Sequence, residues 1–222
     1  MTENCCSPEN INDLQNHFDR DGAREDAEDY MENGLHKRGE KLIAYLDTET
    51  PGFSSALDIG CGAGALHHEL LQRGLVRSVV GVDASAIYLK NAGGNADKLE
   101  LSGKVKYIQS DFALNPDVAK AADVVVMDRV LCCYPELDSL LEPAASKAKH
   151  YLLLSYPLDS ILERFFFFMS RIRHIVTRSK FRLYYHDPKR INKLVENAGF
   201  HSVHEDSSGE WQLSVYQRVG AS

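Results

Sequence analysis

The residues with the clearest chemical content are three aspartates, Asp58, Asp83 and Asp111, each at the end of an apolar run that reads as a strand. The first run continues as Leu57-Asp58-Ile59-Gly60-Cys61-Gly62-Ala63-Gly64, a carboxylate followed by three glycines at alternate positions. Three Cβ-free residues in five let a backbone turn sharply out of a strand and press against a ligand. The residues that follow, Ala65–Leu71, read as the helix that such a turn opens, and its free N–H groups suit a polar or anionic group. A glycine-rich turn that binds nothing is the plain alternative. Asp58 weighs against it, because a carboxylate beside such a turn suits a ligand with a cationic group better than a diphosphate.

Two cofactor classes compete for this loop. Gly60-x-Gly62-x-x-Ala65 also satisfies the dinucleotide fingerprint, with Asp83 at about the right distance for a ribose hydroxyl. The acid before the first glycine favours S-adenosylmethionine, whose ammonium and sulfonium are both positive. The run Val105-Lys106-Tyr107-Ile108-Gln109-Ser110-Asp111-Phe112 points the same way, a strand closing in an acid beside an aromatic. In an open parallel sheet the carboxyl ends of the strands line one crevice, where ligands bind. One acid there could be a helix N-cap; three in register are harder to dismiss.

In LDIGCGAG (57–64), VVGVD (79–83), VKYIQSDF (105–112) and DVVVMDRVLCCYP (123–135) the chain resembles the class I S-adenosylmethionine-dependent methyltransferases, over residues 35–218. The resemblance implies an α/β fold, a doubly wound, mostly parallel seven-stranded Rossmann-like sheet closed by a C-terminal antiparallel hairpin. It also implies a cofactor site of Asp58, Gly60, Cys61, Gly62 and Gly64 at the methionine moiety, with Asp83 accepting from the ribose hydroxyls. Asp111 would bind the adenine amino group and Phe112 pack near the ring; Ala84, Asp128 and Arg38 complete the set, with Arg38, Tyr30 or Lys37 near the methionine carboxylate. Within the class, LCCYP, LLLSYP, the apolar and basic stretch after them and EWQLSVYQR are most similar to magnesium-protoporphyrin O-methyltransferases and their relatives. Those enzymes methylate a propionate on a large, flat, anionic tetrapyrrole. The chain departs from them at Cys133, where a histidine precedes Tyr-Pro, and at His17, where a tyrosine precedes the N-terminal Phe.

The elements that would hold these residues alternate as a doubly wound fold requires. Strands are expected at 55–59, 78–82, 105–109, 123–127 and 151–155, the last two almost wholly apolar, as strands covered on both faces are. Helices are expected at 35–46, 65–73, 85–92, 116–121 and 136–148, with Gly93-Gly94 breaking or ending the third. Asp187-Pro188 marks the cap and first position of a further helix that Gly199 ends. Two closing strands, 200–205 and 210–218, are joined by Ser207-Ser208-Gly209, a turn too short for anything but antiparallel pairing.

Two regions lie outside that frame. Residues 1–34 read as an N-terminal flap or helical extension ahead of a domain spanning 35–222; over 8–34 a solvated helix and a cover for the cofactor are about equally supported. Residues 158–186 read as a helical lid. Phe165–Phe168 cover every side of a helix turn, so one face cannot bury them, and Arg164, Arg171, Arg173, Arg178, Lys180 and Arg182 are interspersed. Such a stretch suits a large apolar or anionic acceptor, or a face resting on a membrane surface.

Composition narrows the classes. A chain of 222 residues, 44% hydrophobic, is enough for one α/β core. A net charge of -7 argues against a dedicated nucleic-acid binder, which neutralises phosphates with Lys and Arg. Met1–Asn10 lacks a basic start and an apolar run, and no segment is long and apolar enough to span a bilayer, so a cytoplasmic protein is expected. Five cysteines, Cys5, Cys6, Cys61, Cys132 and Cys133, read as reduced thiols, and adjacent pairs lack the spacing of a zinc knuckle, so no metal is expected.

The expected activity is methyl transfer from S-adenosylmethionine to a small molecule, by in-line displacement with the acceptor held at near-attack geometry. A carboxylate acceptor needs no base; a hydroxyl or amine does. The catalytic candidates are His186, Tyr134 and His17, with His36, His150 and Asp128 behind them. His67 and His68, adjacent on one helix, are expected to face different directions. The rivals are an NAD(P)-dependent oxidoreductase and a catalytically silent cofactor-binding protein; the oligomeric state is open.

Overall fold

Two valine- and leucine-rich runs form the middle of the sheet, and their alternation explains the layering of the fold. In the computed structural model, which describes residues 20–49, 52–159 and 183–220, β4 (Ala122–Asp128) and β5 (Ala148–Pro157) are buried almost throughout. Successive strand side chains point to opposite faces. Val125, Met127, Leu152 and Leu154 thus join one core with the helices α5 (Leu137–Lys147) and α6 (Pro188–Asn197). Val124, Val126, Tyr151 and Leu153 join the other, with α2 (Lys37–Glu49) and α3 (Ala65–Gln72).

The remaining strands are β1 (Phe53–Ile59), β2 (Val76–Asp83), β3 (Val105–Gln109), β6 (Phe200–Ser208) and β7 (Trp211–Arg218), in the order β3-β2-β1-β4-β5-β7-β6. The pairs from β3 to β5 are parallel; β7 runs antiparallel between β5 and β6. The sheet is therefore the doubly wound, mostly parallel seven-stranded one expected, closed by an antiparallel hairpin. The α6 boundaries also match: Asp187 accepts from Lys189 N at 2.9 Å, Pro188 opens the helix, and Gly199 follows it at φ 87°.

Two expectations fail locally. Residues 116–121 form only a 3₁₀ turn, Pro116–Val118, because Ala119 is already extended and β4 begins three residues later. That leaves too few residues to repay helix nucleation. Gly93-Gly94 does not break α4 (Ala86–Lys98), which runs straight through. Each glycine costs about 1 kcal/mol in a helix interior. Packing offsets this: Ala96 is buried in the core shared with α2, α3 and the sheet, and α1 (Arg20–Asn33) packs on α4, where Asn95 Nδ2 donates to the Ala27 carbonyl at 3.0 Å.

In α1, Ala23, Ala27 and Tyr30 are buried among acidic neighbours that stay wet. His17, Cys5 and Cys6 lie outside the described residues, as do 160–182 of the expected lid. Residues 158–159 and 183–186 of that stretch are described and are not helical. Among the described residues no helix is long and apolar enough to cross a membrane.

Candidate active site

β1 leaves the sheet at Ile59 while its successors are still tied to β2. Gly60 N and Cys61 N both donate to the Val82 carbonyl, at 2.7 and 3.2 Å. The turn then needs the left-handed region at Gly60 (φ 68°) and Gly64 (φ 88°). A Cβ on Gly60 would sit 2.5 Å from Val130 Cγ2, so the loop also needs glycine for space. Asp83 braces the loop from the neighbouring strand end: Oδ2 accepts from Gly62 N at 2.9 Å and Oδ1 from Ser85 N at 2.8 Å. Burial pushes this carboxyl up and the backbone donors pull it back, leaving it raised on balance.

These loops face a cavity of about 720 Å³. Its wall includes Asp58, Gly60, Cys61, Gly62, Gly64, Asp83, Ala84, Phe112, Asp128 and Arg38, ten of the eleven residues expected to bind cofactor. Asp111, the eleventh, is buried and is not among the wall residues. Its Oδ1 accepts from Ala113 N, Leu114 N and the Tyr134 hydroxyl (3.0 Å).

Arg38 and Asp128 form a bidentate pair, with Nε to Oδ1 and Nη2 to Oδ2 both at 2.9 Å. Burial alone would raise the Asp128 carboxyl; Arg38, helped by the Ser155 hydroxyl, holds it below the usual range. Beside this pair on the cavity wall stands Trp211, with the Arg38 guanidinium 5.6 Å and the Arg129 guanidinium 6.0 Å from its ring centre. Arg129 is an exposed, non-glycine residue at φ 60°. From α1, Asp26 and Tyr30 reach the wall, and Tyr88 donates to Asp26 at 2.7 Å.

The sharpest correction concerns His67 and His68. Both rings are fully buried and both Nε2 atoms reach the Tyr107 hydroxyl, at 3.1 and 2.9 Å. They fold back over Gly64, where a Cβ would lie 2.6 Å from His68 Cε1 and 2.9 Å from His67 Nε2. His67 Nδ1 lies 2.8 Å from Asp58 Oδ2. Burial, with Asp128 nearby, pushes the Asp58 carboxyl up to about 8, and burial pushes His67 down to about 3. The two shifts agree that an isolated Asp58–His67 ion pair is disfavoured. Sequence reasoning singled out Asp58 but missed its partners His67, Tyr107 and His68.

The catalytic candidates separate clearly. Tyr134, His36 and Asp128 line the cavity; His150 and His186 do not. Tyr134 spends its proton on Asp111, and burial pushes its phenol well up. His36 pairs with Asp29 at 3.3 Å. The His186 Nε2–H donates to the carbonyls of Leu131 (3.1 Å) and Tyr134 (2.7 Å), and burial pulls the imidazole down. His186 is therefore a strut under the Cys132-Cys133 turn rather than a base facing the cavity. Cys61, Cys132 and Cys133 are free thiols on the wall, and burial pushes Cys61 well up. Among the described residues no cluster of His, Cys, Asp and Glu could hold a metal ion.

A family model described as a methyltransferase domain matches residues 54–199. The chain belongs to that family. No curated protein matches the chain. Among solved structures, magnesium protoporphyrin IX methyltransferase from Synechocystis PCC 6803 with bound S-adenosylhomocysteine is similar at 20% identity and a TM-score of 0.70, covering 94% of this chain and 99% of that one. An O-methyltransferase family protein from Burkholderia thailandensis is similar at 19% identity and TM-score 0.68, over 91% of this chain and 61% of that one. A putative sarcosine dimethylglycine methyltransferase from Galdieria sulphuraria follows at 14% identity and 0.63, over 81% and 84%. At these identities the likeness is one of fold.

Proposed function

We propose that the cavity takes S-adenosylmethionine and that the chain transfers its methyl group to a small-molecule acceptor. The observation that carries this reading is the convergence of Asp58, Asp83 and Asp128, from the ends of three adjacent parallel strands, on one cavity floored by the Gly60–Gly64 loop. A carboxylate-rich wall fits a ligand with two cationic centres. When bound, the cofactor supplies an electrophilic methyl on its sulfonium. On this reading Asp58 would hold the ammonium and Asp83 the ribose hydroxyls, and Phe112 and Ser110, also on the wall, would take the base. Asp111, which accepts from Tyr134, is buried and is not among the residues on the wall, so its role toward an adenine amino group has less support than that of Asp83.

On the acceptor side, Arg129 and Trp211 favour a planar anionic acceptor: a guanidinium for a carboxylate and an indole face for a ring system. The Synechocystis neighbour is named for a porphyrin acceptor of this kind. A carboxylate acceptor arrives without a proton to lose, which suits a wall where Tyr134 is already committed to Asp111. The chain's part is then to orient the acceptor and exclude water.

Calorimetric titration with S-adenosylhomocysteine, with NADH as comparison, tests the reading. Micromolar binding of the homocysteine compound is expected, weakened at least about 100-fold in Asp83→Ala, which removes a ligand contact and the brace on Gly62. Tighter binding of NADH would overturn it in favour of an oxidoreductase.

A further inference from the structure

Two thiols stand side by side in the chain at Cys132 and Cys133. Neighbouring side chains of a helical turn do not face each other as a rule. The 3₁₀ turn Leu131–Cys133 nonetheless folds both back to one atom: Cys132 Sγ lies 3.5 Å and Cys133 Sγ 3.7 Å from the Arg129 carbonyl oxygen. The shared acceptor keeps both sulfurs on one side of the turn, and both residues line the cavity. Cys132 is buried and Cys133 half-buried. The turn is held by Cys133 N donating to the Val130 carbonyl at 2.9 Å and by Tyr184 N donating to that of Cys132 at 2.8 Å. His186 braces it through the carbonyls of Leu131 and Tyr134. Cys61 is not part of the pair: its Sγ is turned to β2, 3.0 Å from where a Cβ on Gly81 would sit.

A pair of thiols with no third ligand suits few elements. Zinc takes four protein ligands in a structural site and three in a catalytic one, and among the described residues no group of three His, Cys, Asp or Glu could hold a metal ion. A trivalent arsenic atom that already carries one carbon substituent needs only two more bonds. Thiol sulfur is a soft donor and suits such a soft centre. In water that atom carries two hydroxyls. Each As–O bond is replaced by an As–S bond, each thiol proton leaves with the displaced hydroxyl as water, and arsenic stays trivalent, so nothing is oxidised or reduced. The thiolate is the attacking form. The hydrogen bond between the two thiols makes the first ionisation of the pair easier and the second harder. Arg129 favours ionisation at both, while Asp128 opposes it at Cys132 and Asp83 at Cys133.

We propose that Cys132 and Cys133 form a dithiol site that captures an organic trivalent arsenical, and that the captured group fills the cavity against the cofactor. The second half rests on the cofactor reading above. The same stretch supplies Val130, whose Cγ2 would meet a Cβ on Gly60 at 2.5 Å, and Tyr134, whose hydroxyl donates to Asp111 at 3.0 Å. Those contacts tie the turn to the glycine loop on one side and to the loop after β3 on the other. A substituent on the two sulfurs therefore has the cavity as its open side. The pair also lies within electrostatic reach of Asp83 and Asp128, two of the three acids on which the cofactor reading stands. An aryl group held there and a bound nucleoside compete for one volume, so capture is inhibitory.

The test is titration of the full chain with phenylarsine oxide, followed by intact mass. The chain is reduced with a phosphine and carries Cys5→Ser/Cys6→Ser, because that second adjacent pair lies outside the described residues. One arsenical per chain should bind, released by a competing dithiol and not by a monothiol. Cys132→Ser and Cys133→Ser should each weaken binding at least about 100-fold, since the second As–S bond loses its intramolecular advantage. S-adenosylhomocysteine at ten times its dissociation constant should slow capture about tenfold. Melting temperatures confirm folding, and if Cys132→Ser does not fold, the half-buried Cys133→Ser decides alone. No adduct, or an adduct of unchanged affinity in Cys133→Ser, overturns the dithiol site. Capture that is not slowed by S-adenosylhomocysteine, when calorimetry shows that compound bound, overturns the competition. No binding of S-adenosylhomocysteine overturns the cofactor reading and leaves the dithiol site to stand on the adduct.

Discussion

Arg38→Leu removes one half of the Arg38–Asp128 pair and leaves a carboxylate largely out of water. The side chains are only 13% and 20% exposed, so the interior regime applies rather than the surface one. Breaking a buried pair from one side costs about 3–5 kcal/mol, because the remaining charge loses its compensation. The Ser155 hydroxyl stays on Asp128, which places the expected loss near the lower end, about 3 kcal/mol. With about 2.1 cal/mol/K of unfolding entropy per residue over 222 residues, the unfolding entropy is about 0.47 kcal/mol/K, and the melting temperature should fall by about 6 °C. The penalty carries a pH signature. Arg38 holds the Asp128 carboxyl below its ordinary value, so its stabilisation is present at neutral pH and lost as pH falls through the folded value. In Arg38→Leu the carboxyl protonates earlier, so the gap between variant and wild type should narrow in acid. Thermal melts from pH 5 to 8, with Arg38→Leu/Asp128→Asn completing a double-mutant cycle, are the assay. The double variant should recover part of the loss, having no buried charge to strand. A loss below about 1 kcal/mol, the range of exposed pairs, or no recovery in the double variant, would refute the reasoning.

Gly60→Ala should destabilise by about 2 kcal/mol or more, from the left-handed backbone and the 2.5 Å approach to Val130. Adding Val130→Ala should return the contact part but not the backbone part, as read by denaturant unfolding. The ligand-free protein should be most stable near pH 6.5. Asp58 has its folded value raised to about 8, so stability falls as pH rises toward that value, by about 1.4 kcal/mol per unit between pH 6.5 and 8. His67 and His68 have folded values lowered to about 3 and about 2, so below pH 6.5 the unfolded chain takes up protons that the folded one refuses, and stability falls there too. A melting temperature that climbs steadily from pH 6 to 8 would contradict the Asp58 assignment; saturating S-adenosylhomocysteine should flatten the alkaline limb.

What could be read from the sequence was local. The β4 and β5 runs are apolar because both faces are covered, and the glycines after Asp58 are dictated by a backbone that cannot turn there with a Cβ. Asp83 stood out because it closes an apolar run one strand away from the glycine loop, and it does line the cavity. What stayed hidden depends on partners distant in the chain. Arg38 meets Asp128 across 90 residues, and Tyr107 meets His68 across 39. Helical spacing alone sends His67 and His68 apart; they converge because Gly64 leaves room for both rings to fold back toward β3. His186 looked like a base because its neighbours are aromatic and acidic, yet its N–H is consumed by carbonyls that no sequence pattern reveals. Gly93-Gly94 misled for a related reason, since the packing around α4 outweighs a local propensity.

The strand order carries a consequence for synthesis of the chain. Because β7 lies between β5 and β6, β6 has no place in the sheet until β7 has been made. From Pro157 to Arg218 the ribosome must add 61 residues, which at about 5–20 residues per second takes roughly 3–12 s. Throughout that interval β5, buried from Tyr151 to Pro157 in the finished fold, presents an open and strongly apolar edge. The antiparallel closure that completes the sheet is thus also the step at which a nascent chain stops being a template for its neighbours.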